Sequence, residues 1–201
     1  MPPILGKESF HHTEWVDSQR EFHLAYGQAM AQWALIEERL SYWFQDTTGL
    51  PYEMARAMFF SPRVFQARTD LLEAAIKHSF RLCECSLRFI KAATTKAGKY
   101  SSFRNHLAHG EQTFDARPEA PTFKQTILIS GKLAPEKAAE TAITVDRLKL
   151  ATERYRELAR LLMDATEFVN GGPSATHPEE CLRLLNELPN QADLPRRAPT
   201  A

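Results

Sequence analysis

Neither sign of charge prevails in this chain. Lys plus Arg total 25 and Asp plus Glu total 25, so no global field draws the whole protein onto nucleic acid. Cysteine is scarce. The three present, Cys83, Cys85 and Cys181, give neither an even disulfide framework nor a zinc-ligand spacing, and they predict a reducing compartment, the cytoplasm. Long hydrophobic runs are missing too. No stretch approaches the ~18 apolar residues needed to span a bilayer, and the first residues lack the basic-then-apolar pattern of a signal peptide. The membrane and secretion readings fall away. A glycine-rich phosphate loop, a Walker motif, a serine nucleophile elbow and a zinc-protease motif are all absent. The adjacent His11 and His12 point apart on any helix and have no third ligand at a recognisable spacing, so neither a metal nor a cofactor is expected.

What the chain does have is length and periodicity. At 201 residues and 43% hydrophobic content it can bury one sizeable core, and one domain is expected. Tyr26, Ala29, Trp33, Ile36, Leu40 and Trp43 recur at steps of three and four, which predicts a long first helix from about Asp17 to Asp46 with one apolar stripe. Thr47 to Pro51 breaks it, and a short helix over Tyr52 to Phe60 follows. Ser61-Pro62 reads as an N-cap and first helical position for a helix carrying Phe65, Leu72, Ile76 and Phe80. After a break near Arg81 to Cys85, a further helix holds Leu87, Ile90, Ala97, Phe103 and Leu107, with Gly98 as a point where it could bend. Thr122 to Ser130 and Thr141 to Val145 read as the two strands of a β-hairpin. Asp146 then caps a last long helix whose Leu148, Ala151, Tyr155, Leu158, Leu162, Ala165 and Val169 form a stripe expected to pack on the first helix. The expected organisation is a flexible N-terminus over 1–16, a helical domain over 17–170 with its hairpin at about 122–145, and a polar, proline-rich tail over 171–201 with a short helix at 178–188. The fold class is mainly α: an antiparallel helical bundle with a small β-hairpin inserted before the last long helix.

Charge is distributed unevenly along this framework. From Lys77 to Gly110 the chain carries Lys77, Arg81, Arg88, Lys91, Lys96, Lys99 and Arg104 against Glu84. That segment is either a solvated helix face balanced by acids elsewhere or a polyanion-binding surface, with Lys91, Lys96, Lys99 and Tyr100 as its candidate contacts. Tyr100 could stack on a base, or belong to the core. Glu37 lies ~40° round the first helix from Trp33, on the apolar stripe, where a carboxylate needs a partner. Arg104 or another cation near the end of the basic segment is the expected partner. The pair would be a structural ion pair or would let Glu37 orient the arginine or move a proton.

The basic segment ends in Phe103-Arg104-Asn105-His106-Leu107-Ala108-His109-Gly110. Arginine presents a permanently charged fork suited to phosphate oxygens, while imidazole gives or takes a proton near neutral pH. Cleaving a phosphodiester without a metal requires both. Gly110 reads as the residue just past a helix end, and the exposed carbonyls of the last turn favour the protonated form of His109. At ~100° per residue, Asn105 and His109 share a face, whereas Arg104 lies ~140° from His109. One straight helix does not easily bring Arg104 to His109, so either the arginine sweeps round or a second copy of the chain supplies the missing group across a two-fold axis. His106 reads as a packed or surface histidine.

This segment resembles the signature of the HEPN superfamily, an arginine followed by a polar residue with a histidine several positions later. Arg104, Asn105 and His109 match it, with Leu107, Ala108 and Gly110 around the histidine as in a form common in bacterial members. The resemblance implies an all-helical, dimerising domain over about residues 20 to 170 and, in catalytic members, a metal-independent endoribonuclease. It further implies a setting as a toxin or in phage defence, with RNA as substrate and an antitoxin or nucleotidyltransferase as possible partner. In that scheme Arg104 neutralises charge on phosphorus, His109 moves a proton and Asn105 positions the pair. The rival expectation is a non-catalytic dimeric interaction or nucleotide-binding module in which the same residues form a buried network.

Overall fold

The computed structural model describes residues 4–5, 12–130, 141–172 and 175–192. Those residues are mainly helical. In chain order they form β1 (Ile4–Leu5), α1 (His12–Thr48), α2 (Tyr52–Phe60), α3 (Phe65–His78), α4 (Glu84–His109), β2 (Gly110–Asp115), β3 (Gln125–Ser130), α5 (Val145–Val169) and α6 (Pro178–Glu187). None of the described helices is long and apolar enough to cross a membrane. The chain divides into two compact units, one of Met1–Ala31, Phe103–Glu153 and Asp193–Ala201, the other of Gln32–Ser102 and Arg154–Ala192.

The second unit is built on the apolar stripes. Trp33 of α1 is buried and meets Tyr155 of α5 edge-on at 5.4 Å between ring centroids, and Phe65 of α3 at 4.9 Å. Edge-to-face rings at this separation add about 1 kcal/mol beyond the area they bury. Trp43 closes the same contact a few turns on, its Nε1 donating to the Leu162 carbonyl at 3.1 Å. The expected packing of the last long helix on the first is therefore present. Ser61 does not cap α3. Its N–H and its hydroxyl both go to Met58 O, so it ends α2, and the N-cap of α3 is Val64. Helix α3 begins only at Phe65, so Ser61 lies three residues before the position from which a side chain could cap it. Gly98 lies inside an unbroken α4.

Glu37 has a different partner from the one expected. Its Oε1 accepts from Arg68 Nη1 of α3 at 2.7 Å, with both side chains largely buried. Arg68 is itself fixed by a hydrogen bond to Pro62 O at 2.9 Å and by lying over the Phe60 ring at 5.1 Å. The carboxylate on the stripe is thus half of a structural pair at the α2–α3 turn.

In the first unit the sheet is the main departure from expectation. β3 falls inside the predicted Thr122–Ser130 strand, but its antiparallel partner is β2, in register from Gly110↔Ser130 to Asp115↔Gln125. β1 runs parallel to β2. The predicted partner strand at Thr141–Val145 contributes an isolated bridge, Ile143 with Leu128. The sequence Gly-Glu-Gln-Thr-Phe-Asp hides a strand because it buries Thr113 and Asp115 as well as Phe114. Buried polar residues erase the apolar–polar alternation by which a strand is read. Asp115 makes that burial tolerable: its carboxylate accepts from Arg117 N, Nε and Nη2 and from Thr122 Oγ1 at 2.5 Å. Lys124, in the left-handed region at φ 59°, returns its N–H to Asp115 O at 2.7 Å and so closes the β2–β3 connection.

The first helix starts earlier than expected. Helix α1 begins at His12, within the segment predicted to be flexible, and Glu14 pairs with Lys124 at 2.8 Å. Helix α6 is the short helix expected at 178–188, and it buries Cys181 and Leu185. Its N-cap is His177, whose Nδ1 accepts from Glu179 N. At the head of α5 it is Thr144, not Asp146, whose hydroxyl accepts from an amide of the first turn, that of Arg147 at 3.4 Å. Residues 1–3 and 6–11 of the N-terminal segment, 131–140 of the predicted hairpin and 173–174 and 193–201 of the tail lie outside the described residues.

Candidate functional site at the end of helix α4

Phe103 and Leu107, one turn apart, are buried and anchor the last turns of α4. Arg147 of α5 lies over the Phe103 ring at 5.9 Å, and Tyr26 of α1 donates its hydroxyl to the Leu107 carbonyl at 3.3 Å. With that pair facing inward, helical geometry turns Asn105 and His109 outward at ~200° and ~240° from Phe103 and leaves Arg104 on the flank at ~100°. Burial follows this order: Asn105 and His109 are exposed, Arg104 is intermediate.

Arg104 Nη1 donates to Asn105 Oδ1 at 3.4 Å, a long bond between neighbours. Its Nε is buried and has no hydrogen-bond partner. His109 has no hydrogen-bond or ion-pair partner among the described residues. The structure therefore brings Arg104 to Asn105, and not to His109, within one chain. His106 is exposed, as one of its two expected placements had it.

The glycine after His109 has a specific cause. Gly110 does not adopt a positive φ, so it is not there to reverse the chain. A Cβ on it would sit 2.5 Å from both Cγ and Cδ2 of Leu128 and 3.0 Å from His106 O. Helix α4 passes straight into strand β2 at this residue, and only glycine lets β3 approach so closely.

A second imidazole reaches the same elements, which the sequence did not indicate. His23 of α1, one turn before Tyr26, has Nε2 at 2.8 Å from Gln112 Oε1 on β2. An amide oxygen only accepts, so Nε2 carries the proton in this contact. The pair is 89 positions apart in sequence, and no local pattern announces it.

The proposed RNA contacts lie earlier on α4, in the other unit, and fare unevenly. Tyr100 is fully buried, donates its hydroxyl to Pro189 O at 2.8 Å and has its phenol pushed up to about 12 by burial. It cannot stack on a base. Lys96 is buried as well, its Nζ donating to Leu188 O at 2.7 Å and to Asn190 Oδ1 at 3.2 Å. Burial, aided by the neighbouring Lys99 charge, holds its ammonium below the ordinary lysine range. Lys99 is exposed but also reaches Asn190 Oδ1, at 3.1 Å. These three side chains hold the segment that follows α6. Lys91 remains exposed, in a shallow recess that Asp70, Glu73 and Lys77 also line. Of the other cations in the basic run, Arg88 pairs with Glu179 at 2.7 Å.

No group of three or more His, Cys, Asp or Glu among the described residues is arranged to hold a metal ion. Comparisons with protein-family models, with curated proteins and with solved structures give no match to this chain.

Proposed function

We propose that this protein is a metal-independent endoribonuclease of HEPN type that works as a homodimer. The observation that carries the reading is His109: a titratable base at the end of an anchored helix, facing solvent and without a hydrogen-bond or ion-pair partner among the described residues. Arg104 and Asn105, in the preceding turn of α4, are the cation and the positioning amide. The substrate's own 2′-hydroxyl attacks the adjacent phosphorus, His109 of one protomer takes the proton, and the bond to the 5′-oxygen breaks as that oxygen is protonated. Arg104 neutralises the charge that develops on the phosphoryl oxygens. The products are a 2′,3′-cyclic phosphate and a 5′-hydroxyl, and DNA is resistant because it lacks the nucleophile. Two copies related by a two-fold axis supply two arginines and two histidines to one cleft, which meets the need for both a base and an acid. The biological setting that goes with this reading is a cytoplasmic toxin or phage-defence effector, held in check by a partner protein.

One observation favours a second reading. The buried, unpaired Nε of Arg104 is a donor whose loss of hydration calls for an acceptor, and a partner subunit could provide it in a purely structural network. Cleavage of a labelled structured RNA in EDTA separates the two. With wild type, Arg104→Ala and His109→Ala all dimeric by size exclusion, cleavage by wild type alone supports the nuclease. Inactive wild-type protein across several RNAs, with variants that dissociate to monomers, replaces it with the structural network.

A further inference from the structure

Cys83 and Cys85 are joined by a disulfide, with their Cα atoms 5.4 Å apart and only Glu84 between them. Three cysteines offered no even disulfide framework in the sequence, and among the described residues only Cys181 is free, and it is buried. From this pair we infer a second chemical site, independent of the ribonuclease reading: Cys83 and Cys85 form a reversible dithiol–disulfide couple that exchanges with low-molecular-weight disulfides such as oxidised glutathione.

Three features of the site support exchange over a structural role. The bond closes a ring around a single intervening residue, so it removes little freedom from the unfolded chain and adds little stability by that route. It is also accessible, with Cys83 exposed and Cys85 half-exposed. Finally, the two sulfurs are not equivalent. Cys83 stands at the N-cap of α4: its carbonyl accepts from Leu87 N at 3.1 Å, and its Sγ accepts from Ser86 N at 3.3 Å and lies 3.2 Å from Ser86 Oγ. Ser86 is buried, which fixes those donors in place. When the bond is reduced, a thiolate at Cys83 inherits this amide, this hydroxyl and the positive end of a long helix, all of which favour the ionised sulfur. No hydrogen bond to Cys85 Sγ is found among the described residues.

The reaction balances as two exchanges. The Cys83 thiolate attacks one sulfur of the small disulfide RSSR, forming Cys83–S–SR and releasing RS−. The Cys85 thiolate then attacks the Cys83 sulfur, forming the Cys83–Cys85 bond and releasing the second RS−. Two protein thiols are oxidised, one disulfide is reduced to two thiols, and the two protons of the cysteines leave with the products. Reduction runs the same steps backwards, with two equivalents of a small thiol as reductant.

The test uses the full-length protein in buffers of defined reduced and oxidised glutathione, quenched in acid, alkylated and mapped by mass spectrometry. The wild type is expected to pass reversibly between dithiol and Cys83–Cys85 disulfide as the glutathione ratio is varied, with Cys181 unmodified. Cys85→Ser, which lacks the resolving thiol, should trap one glutathione on Cys83. Cys83→Ser should take up glutathione at Cys85 about tenfold more slowly, because it lacks the capped thiolate. Circular dichroism confirms that each variant is folded. The inference is overturned if the folded, reduced wild type fails to close in excess oxidised glutathione. Equal uptake by the two single variants, or faster uptake at Cys85, overturns it as well. None of these readings depends on whether the protein cleaves RNA, so failure here and failure of the nuclease assignment are told apart.

Discussion

Helix α4 carries basic residues along its whole length, yet its two stretches use them in opposite ways. Up to Tyr100 the cations other than Lys91 are engaged by the chain itself. Arg88 binds Glu179, and Lys96 and Lys99 reach the segment after α6. Beyond Phe103 the charged and titratable groups are held at the surface by a buried pair beneath them and are largely left alone. A run of like charges in a sequence therefore does not amount to a binding surface. What counts is whether a cation has a carbonyl or carboxylate of its own chain within reach, and here that depends on residues about 90 positions away.

The sharpest way to break this contrast is at His109. His109→Ala should reduce RNA cleavage by about 10²–10⁴-fold, the range for loss of a positioned acid or base, while leaving the melting temperature near that of wild type because the side chain is exposed and has no hydrogen-bond or ion-pair partner among the described residues. A variant that keeps its activity, or loses its fold along with it, would place His109 with the committed residues of α4 instead.

Next in size is a change beneath the motif's neighbouring strand. Asp115→Asn removes a buried charge from its Arg117 fork and should cost about 3–5 kcal/mol at neutral pH, measured by urea denaturation. Burial alone would push the Asp115 carboxyl up, but the hydrogen bonds from Arg117 and Thr122 outweigh it and hold it below its ordinary 3.8. A depressed folded-state value means that the stabilisation is fully present above pH 3.8 and is lost as the pH falls through the lower value. Wild-type and variant stabilities should therefore converge in strong acid. A gap that persists unchanged there would show that the cost lies in packing rather than in charge.

A smaller effect is expected at Gly110→Ala, where the new methyl meets Leu128. About 1–3 kcal/mol of overpacking is anticipated, and Leu128→Ala in the same chain should relieve part of it, giving a negative coupling in a double-mutant cycle. Additive losses would mean that the close approach of β3 is not what keeps this position glycine, and that the motif is held in place by other means.

The sequence disclosed these features unevenly, for physical reasons. Helices α1, α2 and α5 were legible because an apolar stripe with a period near 3.6 survives whatever the neighbours do, and the break before α4 was legible from the same loss of period. The strand β2 was hidden because Asp115 and Thr113 are buried with partners that a linear pattern does not show. Glu37 was rightly marked as needing a cation, but which one depended on the turn between α2 and α3, and Arg68 took the place expected of Arg104. Arg104, Asn105 and His109 were found through a short motif, and their exposure agrees with the face assigned by helical spacing. Lys96 was misread as a surface group because the segment that covers it looked like a polar tail, whereas Tyr100 took the second of its two expected places, in the core.

That misreading leads to the finest test of the contrast, the salt dependence of RNA binding. Each lysine that neutralises a phosphate contributes about one unit to the slope of log affinity against log salt. Lys91 is exposed and its ammonium has no hydrogen bond to its own chain among the described residues, so Lys91→Ala should lower the slope by about one if RNA passes over this part of α4. Lys96→Met should leave the slope unchanged and instead lower stability by about 1 kcal/mol, since it removes hydrogen bonds to Leu188 and Asn190. The acids Asp70 and Glu73 beside Lys91 make the first effect the weakest of those anticipated here. If neither substitution moves the slope, the RNA footprint lies wholly on the far end of the helix, and charge in the earlier turns serves the fold alone.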